Sequence, residues 1–142
     1  MSTNLLLVSP YSVNFYGGVQ NQVNLFKYGL DSFNFNVRLL APDSSDYDIG
    51  RSIKIPFNGS SNPISLIPDK EILNQAIAWA DIIHIHEPFI PLFFWRLKTS
   101  KKIVVTHHAK ISKFIYFGLK ILYLTLRNKN FYPLKKNYFF LL

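Results

Sequence analysis

The feature that most constrains the fold of this chain is the alternation of short apolar runs with segments whose apolar residues recur at helical spacing. Runs that are apolar along their whole length are typical of strands buried on both faces of a sheet. Such strands, separated by helices, favour a parallel sheet covered on both sides. The sequence therefore predicts an α/β domain with helices on both faces of a parallel sheet. The predicted strands are 4–10, 36–42, 52–63 (running into a turn-rich loop), 81–88 and 102–109, and the predicted helices are 18–30, 68–80, 89–100 and 111–126.

Local signals support the first two helices. The second helix has start signals in Pro68, Asp69 and Glu71. The polar segment 43–50 predicts a loop before it. In the first helix, the residues that recur at helical spacing on one face are Val19, Val23, Phe26 and Leu30.

Charge is distributed unevenly along the 142 residues, whose net charge is +8. Residues 1–95 carry five Lys or Arg and eight Asp or Glu, whereas residues 96–142 carry eleven Lys or Arg and no acidic residue. A half of one sign favours an anionic partner, such as phospholipid, nucleic acid or a phosphorylated ligand, although a solvated basic face is an equally good explanation. No recognised nucleic-acid motif is present, so we expect no nucleic-acid partner.

Composition and three segments of the chain indicate the cellular compartment of the protein. The chain has no cysteine, which excludes disulfides and thiolate sites and fits a reducing cytoplasm. The N-terminal stretch lacks the basic region and long apolar run of a signal peptide, and the segment 111–126 is too short and too lysine-containing for a membrane span. The tail, 127–142, breaks the α/β pattern, and is interpreted either as out-of-frame coding sequence or as a basic membrane-contacting tail.

Three polar stretches follow predicted strands and are the candidate site. They are the Gly17–Gly18 pair, the end of "DIIHIHEP" and the "THH" that closes "KIVVTHHA". Ligands of open parallel sheets bind outside the carboxyl ends of the strands, so we expect these stretches to converge there. We expect His86, Glu87 and Thr106 to line a pocket at this edge, and His108 to lie at the same edge, where its side chain can reach a ligand.

Each stretch also has a simpler explanation. Two glycines that open a helix let backbone N–H groups approach an anion, but a plain turn explains them as well, because no Walker or GxGxxG pattern is present. His84 and His86 share a strand face and could ligate a metal together with Glu87 or the 107–108 histidine pair. Core histidines explain them more simply, and we expect no metal site.

Four segments, in order and at suitable separations, resemble the N-terminal domain of GT-B glycosyltransferases of family 4, and most of all the phosphatidylinositol alpha-mannosyltransferases and their relatives. The segments are "SPYSVNFYGGVQNQVNLF", "IPFNGS", "DIIHIHEPFIP" and "KIVVTHHA". The resemblance covers residues 4–126, an N-terminal, acceptor-binding domain, and leaves the tail 127–142 unmatched. It implies the Rossmann-like half of a two-domain enzyme that transfers a hexose, for example mannose, with retention of anomeric configuration.

The resemblance also implies roles for particular residues. Gly17 and Gly18 would approach the diphosphate of a nucleotide-sugar donor, which is a substrate, so no cofactor is implied. His108 would lie by the transferred sugar and act in catalysis. The residues implied for the lipid or glycan acceptor are Gln20, Phe57, Asn58 and Ser60.

This chain departs from the family pattern at several positions. Lipid-acceptor enzymes usually have Tyr at position 57, a basic residue soon after Ser60, and Phe at position 107, so the identity of the acceptor is open. A C-terminal donor-binding domain with paired glutamates is not found in the 142 residues. We therefore expect negligible turnover from this chain alone, and a separate C-terminal donor domain as a partner.

Two other classes of function remain open. One is a non-catalytic, truncated remnant that binds a membrane or a protein partner, which the unmatched tail favours. The other is a stand-alone nucleotide-binding module, which the lack of an acidic ribose-binding residue after the glycines disfavours. Under the glycosyltransferase hypothesis, we expect a cytoplasmic protein that binds an anionic membrane surface peripherally, at its inner face.

Overall fold

The computed structural model describes residues 2–43, 45–57, 60–65, 68–87, 97, 99–106, 108 and 138–141. The predicted helices 89–100 and 111–126 lie wholly or mostly outside these residues. The elements in chain order are β1 (Thr3–Val8), α1 (Gly18–Leu30), a 3₁₀ turn (Asp31–Phe33), β2 (Phe35–Ala41), β3 (Tyr47–Asp48), β4 (Ile53–Phe57), β5 (Ser60–Ile64), α2 (Lys70–Trp79), β6 (Ile82–His86), β7 (Lys102–Thr106) and β8 (Tyr138–Leu141).

Six of the described strands form one parallel sheet in the order β3-β2-β1-β6-β7-β8. Leu7 of β1 lies opposite Leu39 of β2 on one side and His84 of β6 on the other. On β6, His86 lies opposite Thr106 of β7. The predicted α/β class with a Rossmann-like parallel sheet is confirmed.

Alternate residues of the central strand β1 pack against helices on opposite faces of the sheet. Leu6 and Val8 belong to a buried cluster that includes residues of α2, whereas Leu5 and Leu7 pack in a second cluster with Val23 of α1. This division explains why the strand reads as a continuous apolar run, since neither of its faces meets water. The structure confirms helices on both faces.

Helix α2 begins where its sequence signals predict. The side chain of Asp69 accepts hydrogen bonds from the backbone N–H groups of Glu71 and Ile72, which is a typical N-cap arrangement. The buried residues Leu73 and Ala76 face the sheet. Among the described residues, no helix is long and apolar enough to cross a membrane.

The segment predicted as one strand running into a loop, 52–63, is instead an antiparallel hairpin outside the main sheet. Phe57 of β4 pairs with Ser60 of β5, and the Asn-Gly dipeptide between them in the sequence lies outside the described residues. Asn-Gly at such a position is a strong hairpin signal, because both residues tolerate positive φ angles. The returning strand β5 was not predicted from the sequence.

Two further elements differ from the prediction. The polar segment 43–50 is not only a loop, because β3 within it pairs with the end of β2. At this edge, the Arg38 guanidinium lies over the rings of Tyr47 and Trp79 and donates to the Tyr47 hydroxyl. In the tail, β8 pairs with β7 and extends the sheet. The domain boundary between residues 126 and 127 stays a prediction.

Candidate functional site

The loop after β1 turns the chain from the carboxyl edge of the sheet into α1. The Ser9 hydroxyl donates to the carbonyl of Tyr11 and accepts from its N–H, which closes a tight turn. The carbonyl of Gly17 accepts from the N–H of Asn21, so Gly17 caps the helix that begins at Gly18. The N-terminus of α1 therefore lies at the edge where ligands of such sheets bind.

The two glycines have different physical reasons to be glycine. A Cβ on Gly17 would lie 2.3 Å from Oε1 of Gln20, because that side chain folds back over the backbone. A Cβ on Gly18 would meet nothing within 4 Å. Neither glycine has a positive φ angle, so a left-handed turn does not explain the pair. Gly18 is exposed, which leaves its backbone open to approach.

The hairpin β4–β5 is tied to this loop by backbone hydrogen bonds. Ser12 N–H donates to the Pro63 carbonyl over 3.1 Å, and Ser65 N–H donates to the Pro10 carbonyl over 3.3 Å. Tyr11 also forms a bridge with Ile64. The hairpin that carries Phe57 and Ser60 is thus anchored to the loop between β1 and α1, which we call the glycine loop.

The predicted acceptor residues are described to different extents. The structure places Gln20 in α1 with its side chain 4% exposed, against Gly17. For Phe57 and Ser60 it describes the paired backbone at the end of the hairpin. Asn58 lies outside the described residues. The assignment of these four residues to an acceptor site stays a prediction.

Two histidines of β6 lie buried on the sheet face that α1 covers. His84 and His86 are 5% and 0% exposed, and their ring centroids are 4.4 Å apart. The ring of Phe26 meets both edge-on, at 5.2 and 5.6 Å between centroids. Nε2 of His84 lies 2.8 Å from the hydroxyl of Thr106 on the neighbouring strand. The alternation of strand residues predicted this shared face.

His108, just beyond β7, joins the same cluster. Its Nε2 lies 2.9 Å from Nδ1 of His86, and the two rings are nearly coplanar and meet edge to edge, with an interplanar angle of 5° and a centroid distance of 5.2 Å. Its backbone N–H donates to Oε1 of Glu87 over 2.7 Å. The structure thus brings His108 together with the three predicted pocket residues His86, Glu87 and Thr106. These four residues and His84 are called the histidine cluster.

Glu87 joins the ends of the two strands through both its backbone and its side chain. It follows β6 with a φ angle of 53°, in the left-handed region that non-glycine residues rarely occupy. Its N–H donates to the Thr106 carbonyl over 2.9 Å, while its carboxylate accepts from His108. The side chain is 6% exposed. Glu87 therefore links the carboxyl ends of β6 and β7 through two hydrogen bonds.

Burial governs the protonation of this region. Desolvation lowers the pKa of His84 to about 4, with a smaller contribution from His108. Desolvation also lowers the pKa of His86 to about 3, assisted by His84 and His108. Burial raises the pKa of Tyr11 to about 12, and the charge of Glu87 adds to this. The two buried histidines are therefore neutral at physiological pH and act as hydrogen-bonding groups.

Among the described residues, no three His, Cys, Asp or Glu side chains are arranged to hold a metal ion. The expectation of no metal site remains a prediction, since His107 lies outside the described residues. The histidine cluster holds the imidazole of His108 at the carboxyl edge of the sheet. It does so through the Glu87 carboxylate and the neutral imidazole of His86.

The glycine loop and His108 lie on either side of β6 at the same edge of the sheet. The loop follows β1 and His108 follows β7, and β6 lies between them. Adjacent strands are about 4.8 Å apart, so these two strand ends are about 10 Å apart.

Sequence reasoning missed two residues of this region. Tyr11, beside Glu87, lies in a loop within the first segment of the family resemblance, but no role was predicted for it. Phe26 was predicted to face the core, but its contact with the histidine rings was not predicted. Its helical phase with Val23 was the available signal, because both residues face the sheet side that the histidines occupy.

Comparison with known proteins finds relatives among lipid mannosyltransferases. The chain is 32% identical over 121 residues to the phosphatidyl-myo-inositol mannosyltransferase of Mycobacterium leprae, covering 75% of this chain and 32% of that protein. The proteins of the same name from Mycolicibacterium smegmatis and Mycobacterium tuberculosis strain H37Rv are 32% and 31% identical, again over 75% of this chain and 31% and 32% of theirs.

No protein-family model matches the chain. No solved structure matches it significantly. The chain spans about a third of the length of the curated relatives it matches. What these comparisons establish is similarity of most of this chain to part of proteins named phosphatidyl-myo-inositol mannosyltransferase.

Proposed function

We propose that this chain forms the acceptor-side part of a glycosyltransferase that moves a hexose, mannose by similarity, from a nucleotide-sugar to a lipid acceptor with an inositol phosphate head. The observation that carries the proposal is the 31–32% identity to phosphatidyl-myo-inositol mannosyltransferases over 75% of the chain. The α/β fold, with polar residues gathered at the carboxyl edge of its sheet, supports it.

The donor diphosphate would lie at the N-terminus of α1. Gly18 is the first residue of that helix and has open space where a side chain would be. Unpaired N–H groups and the helix dipole at such an end favour negative charge, and a missing Cβ lets phosphate oxygens come close. In this proposal, Gly17 shapes the loop and Gly18 admits the ligand.

His108 would lie by the transferred sugar and make hydrogen bonds with it. In transfer with retention, the acceptor hydroxyl attacks on the face from which the diphosphate leaves. The groups that matter most are those that orient the two substrates and stabilise charge on the departing phosphate. The exposed backbone at Gly18 and the fixed imidazole of His108 suit these two tasks.

The acceptor and the membrane complete the proposal. Of the predicted acceptor residues, Gln20 belongs to α1, and Phe57 and Ser60 belong to the hairpin that is anchored to the loop after β1, while Asn58 lies outside the described residues. The eleven Lys or Arg of residues 96–142 favour an anionic membrane surface, at which we place the protein peripherally on the cytoplasmic side. Because the chain spans a third of its relatives, we expect other donor contacts to come from a separate donor domain, and these 142 residues alone to show no turnover.

The test of donor binding uses one substitution and a matched control on the same helix. Gly18→Ala puts a methyl group where we place the diphosphate, and Gly29→Ala puts one near the other end of α1, also with nothing within 4 Å. Binding of a panel of nucleotide-sugars to the full chain is measured by titration calorimetry or NMR. We expect Gly18→Ala to weaken binding about tenfold, the effect of losing one hydrogen bond to a charged group, and Gly29→Ala to leave it unchanged.

Equal affinities for the wild-type chain and Gly18→Ala would show that the glycine pair is only a turn. Absence of binding by the wild-type chain to every nucleotide-sugar and to inositol phosphate would remove the proposal altogether. Incubation with radiolabelled nucleotide-sugars and phosphatidylinositol vesicles checks turnover. Multiple-turnover product from this chain alone would support glycosyl transfer and refute the dependence on a separate donor domain.

A further inference from the structure

Two adjacent residues at the end of β6 hold His108 through different atoms. The ring of His86 is hydrogen-bonded to the ring of His108, and the carboxylate of Glu87 accepts from its backbone N–H. All three lie at the edge of the sheet, where His86 is fully buried and His108 is half-buried. His108 is thus held by the buried ring of His86 and is itself partly exposed to solvent.

We propose that His86 is a positioning residue that donates from Nδ1 to Nε2 of His108 and so holds His108 in the tautomer with its proton on Nδ1. The significance of this tautomer rests on the function proposed above, in which His108 meets the transferred sugar. With Nε2 engaged as an acceptor, the ring of His108 carries its proton on Nδ1. It would therefore serve as a hydrogen-bond donor to an oxygen atom and not as a base.

The direction of this hydrogen bond follows from the buried end of His86. Its Nε2 has no hydrogen-bond partner among the described residues. A proton there would be a buried donor without an acceptor, a rare arrangement in folded proteins. A neutral imidazole carries one proton, so a bare Nε2 places that proton on Nδ1, facing His108.

The surroundings of His86 keep its ring neutral and fixed. Phe26 packs on it from α1, His84 lies beside it on β6, and the ring of His108 meets it edge to edge from the end of β7. Glu87 is the acidic residue of this cluster, and its carboxylate is engaged with the backbone of His108. Burial lowers the pKa of His86 to about 3, so its single proton stays in place across the physiological range.

The test is the tautomer of His108, read from long-range ¹⁵N–¹H NMR correlations of the imidazole rings in the full chain. We expect the Nδ1–H form in the wild-type chain at pH 7.5. His86→Leu removes the donor, and we expect the ratio of Nδ1–H to Nε2–H form to fall about tenfold. His86→Asn keeps an N–H group near the position of Nδ1 and should preserve the wild-type ratio.

His84→Gln is the matched control, because residue 84 shares the strand and the face but is hydrogen-bonded to Thr106. It should leave the His108 tautomer unchanged. Backbone amide spectra show whether each variant is folded. If His86→Leu does not fold, His86→Asn still allows the test. A wild-type His108 in the Nε2–H form, or a ratio that His86→Asn changes as much as His86→Leu, would overturn the proposal. The measurement uses neither sugar nor lipid, so its failure is separate from failure of the proposed function.

Discussion

Lowering the pH from 8 to 5 should destabilise this protein strongly, because it buries two neutral histidines. In the unfolded chain a histidine has a pKa near 6.5, whereas burial lowers the pKa of His84 to about 4 and that of His86 to about 3. Between pH 6.5 and about 4, the two histidines therefore bind protons in the unfolded state but not in the folded state. Stability falls as the pH falls through this window and is fully present above it.

The size of the effect follows from these values. At pH 5 an unfolded histidine lies 1.5 units below its pKa and the folded one is still neutral, so each residue contributes a loss of about 2 kcal/mol. Together the two histidines lower the free energy of unfolding by about 4 kcal/mol between pH 8 and pH 5. The free energy of unfolding of a typical protein is only about 5–15 kcal/mol, so this loss is large. The lowered pKa values of Asp43 and Asp46 act at more acidic pH.

The assay is urea denaturation of the full chain at pH 8, 7, 6 and 5, at constant ionic strength, followed by circular dichroism. Two variants supply the controls. His84→Gln keeps an amide near Nε2, facing Thr106, and His86→Asn keeps one near Nδ1, facing His108. Each should remove about half of the pH dependence. A loss below about 1 kcal/mol in the wild-type chain, or an unchanged slope in the double variant, would refute the reasoning.

Two further predictions concern the helices, and both are checked by urea denaturation at pH 7.5. Asp69→Ala removes the N-cap of α2 and should lower the free energy of unfolding by about 1 kcal/mol, while Asp69→Ser should largely retain it; equal losses in both would mean that the cap contributes nothing. Gly17→Ala forces the buried Gln20 amide to move and should cost about 1–2 kcal/mol, whereas Gly18→Ala, with open space around it, should be neutral or stabilising. Equal effects of the two alanines would contradict the different packing of the glycines.

Much of the fold could be predicted because local patterns and long-range packing agree. The apolar run of β1 predicted a strand covered on both faces, and the structure buries its alternate residues against α1 and α2. Asp69 predicted the start of α2 and caps it. These signals depend on nearest neighbours in the chain, which is why the sequence alone displays them.

The missed elements depend on partners distant in the chain. Nothing within 43–50 shows that Tyr47 pairs with Leu40, since a two-residue strand has too few residues to display a period. The returning strand of the hairpin contains Pro63 and polar residues, which disfavour a strand in sequence reasoning. An edge position in a two-stranded sheet tolerates both.

The candidate site was predicted in its location but not in its geometry. The rule for parallel sheets placed the glycines and the histidines at one edge. The hydrogen bond between His86 and His108 and the link that Glu87 makes between the two strand ends depend on the register that sets His86 opposite Thr106. No local pattern encodes that register, because it is decided by packing across the whole sheet.

The brevity of β3 has a consequence for how copies of this protein meet one another. A long bare outer strand offers a row of open peptide groups on which another molecule can assemble, the first step toward fibrils. Here the outer strand on that side is only two residues long, and the positive charge of Arg38 lies across its Tyr47 ring. This border of the sheet therefore gives a neighbouring molecule too little backbone to extend.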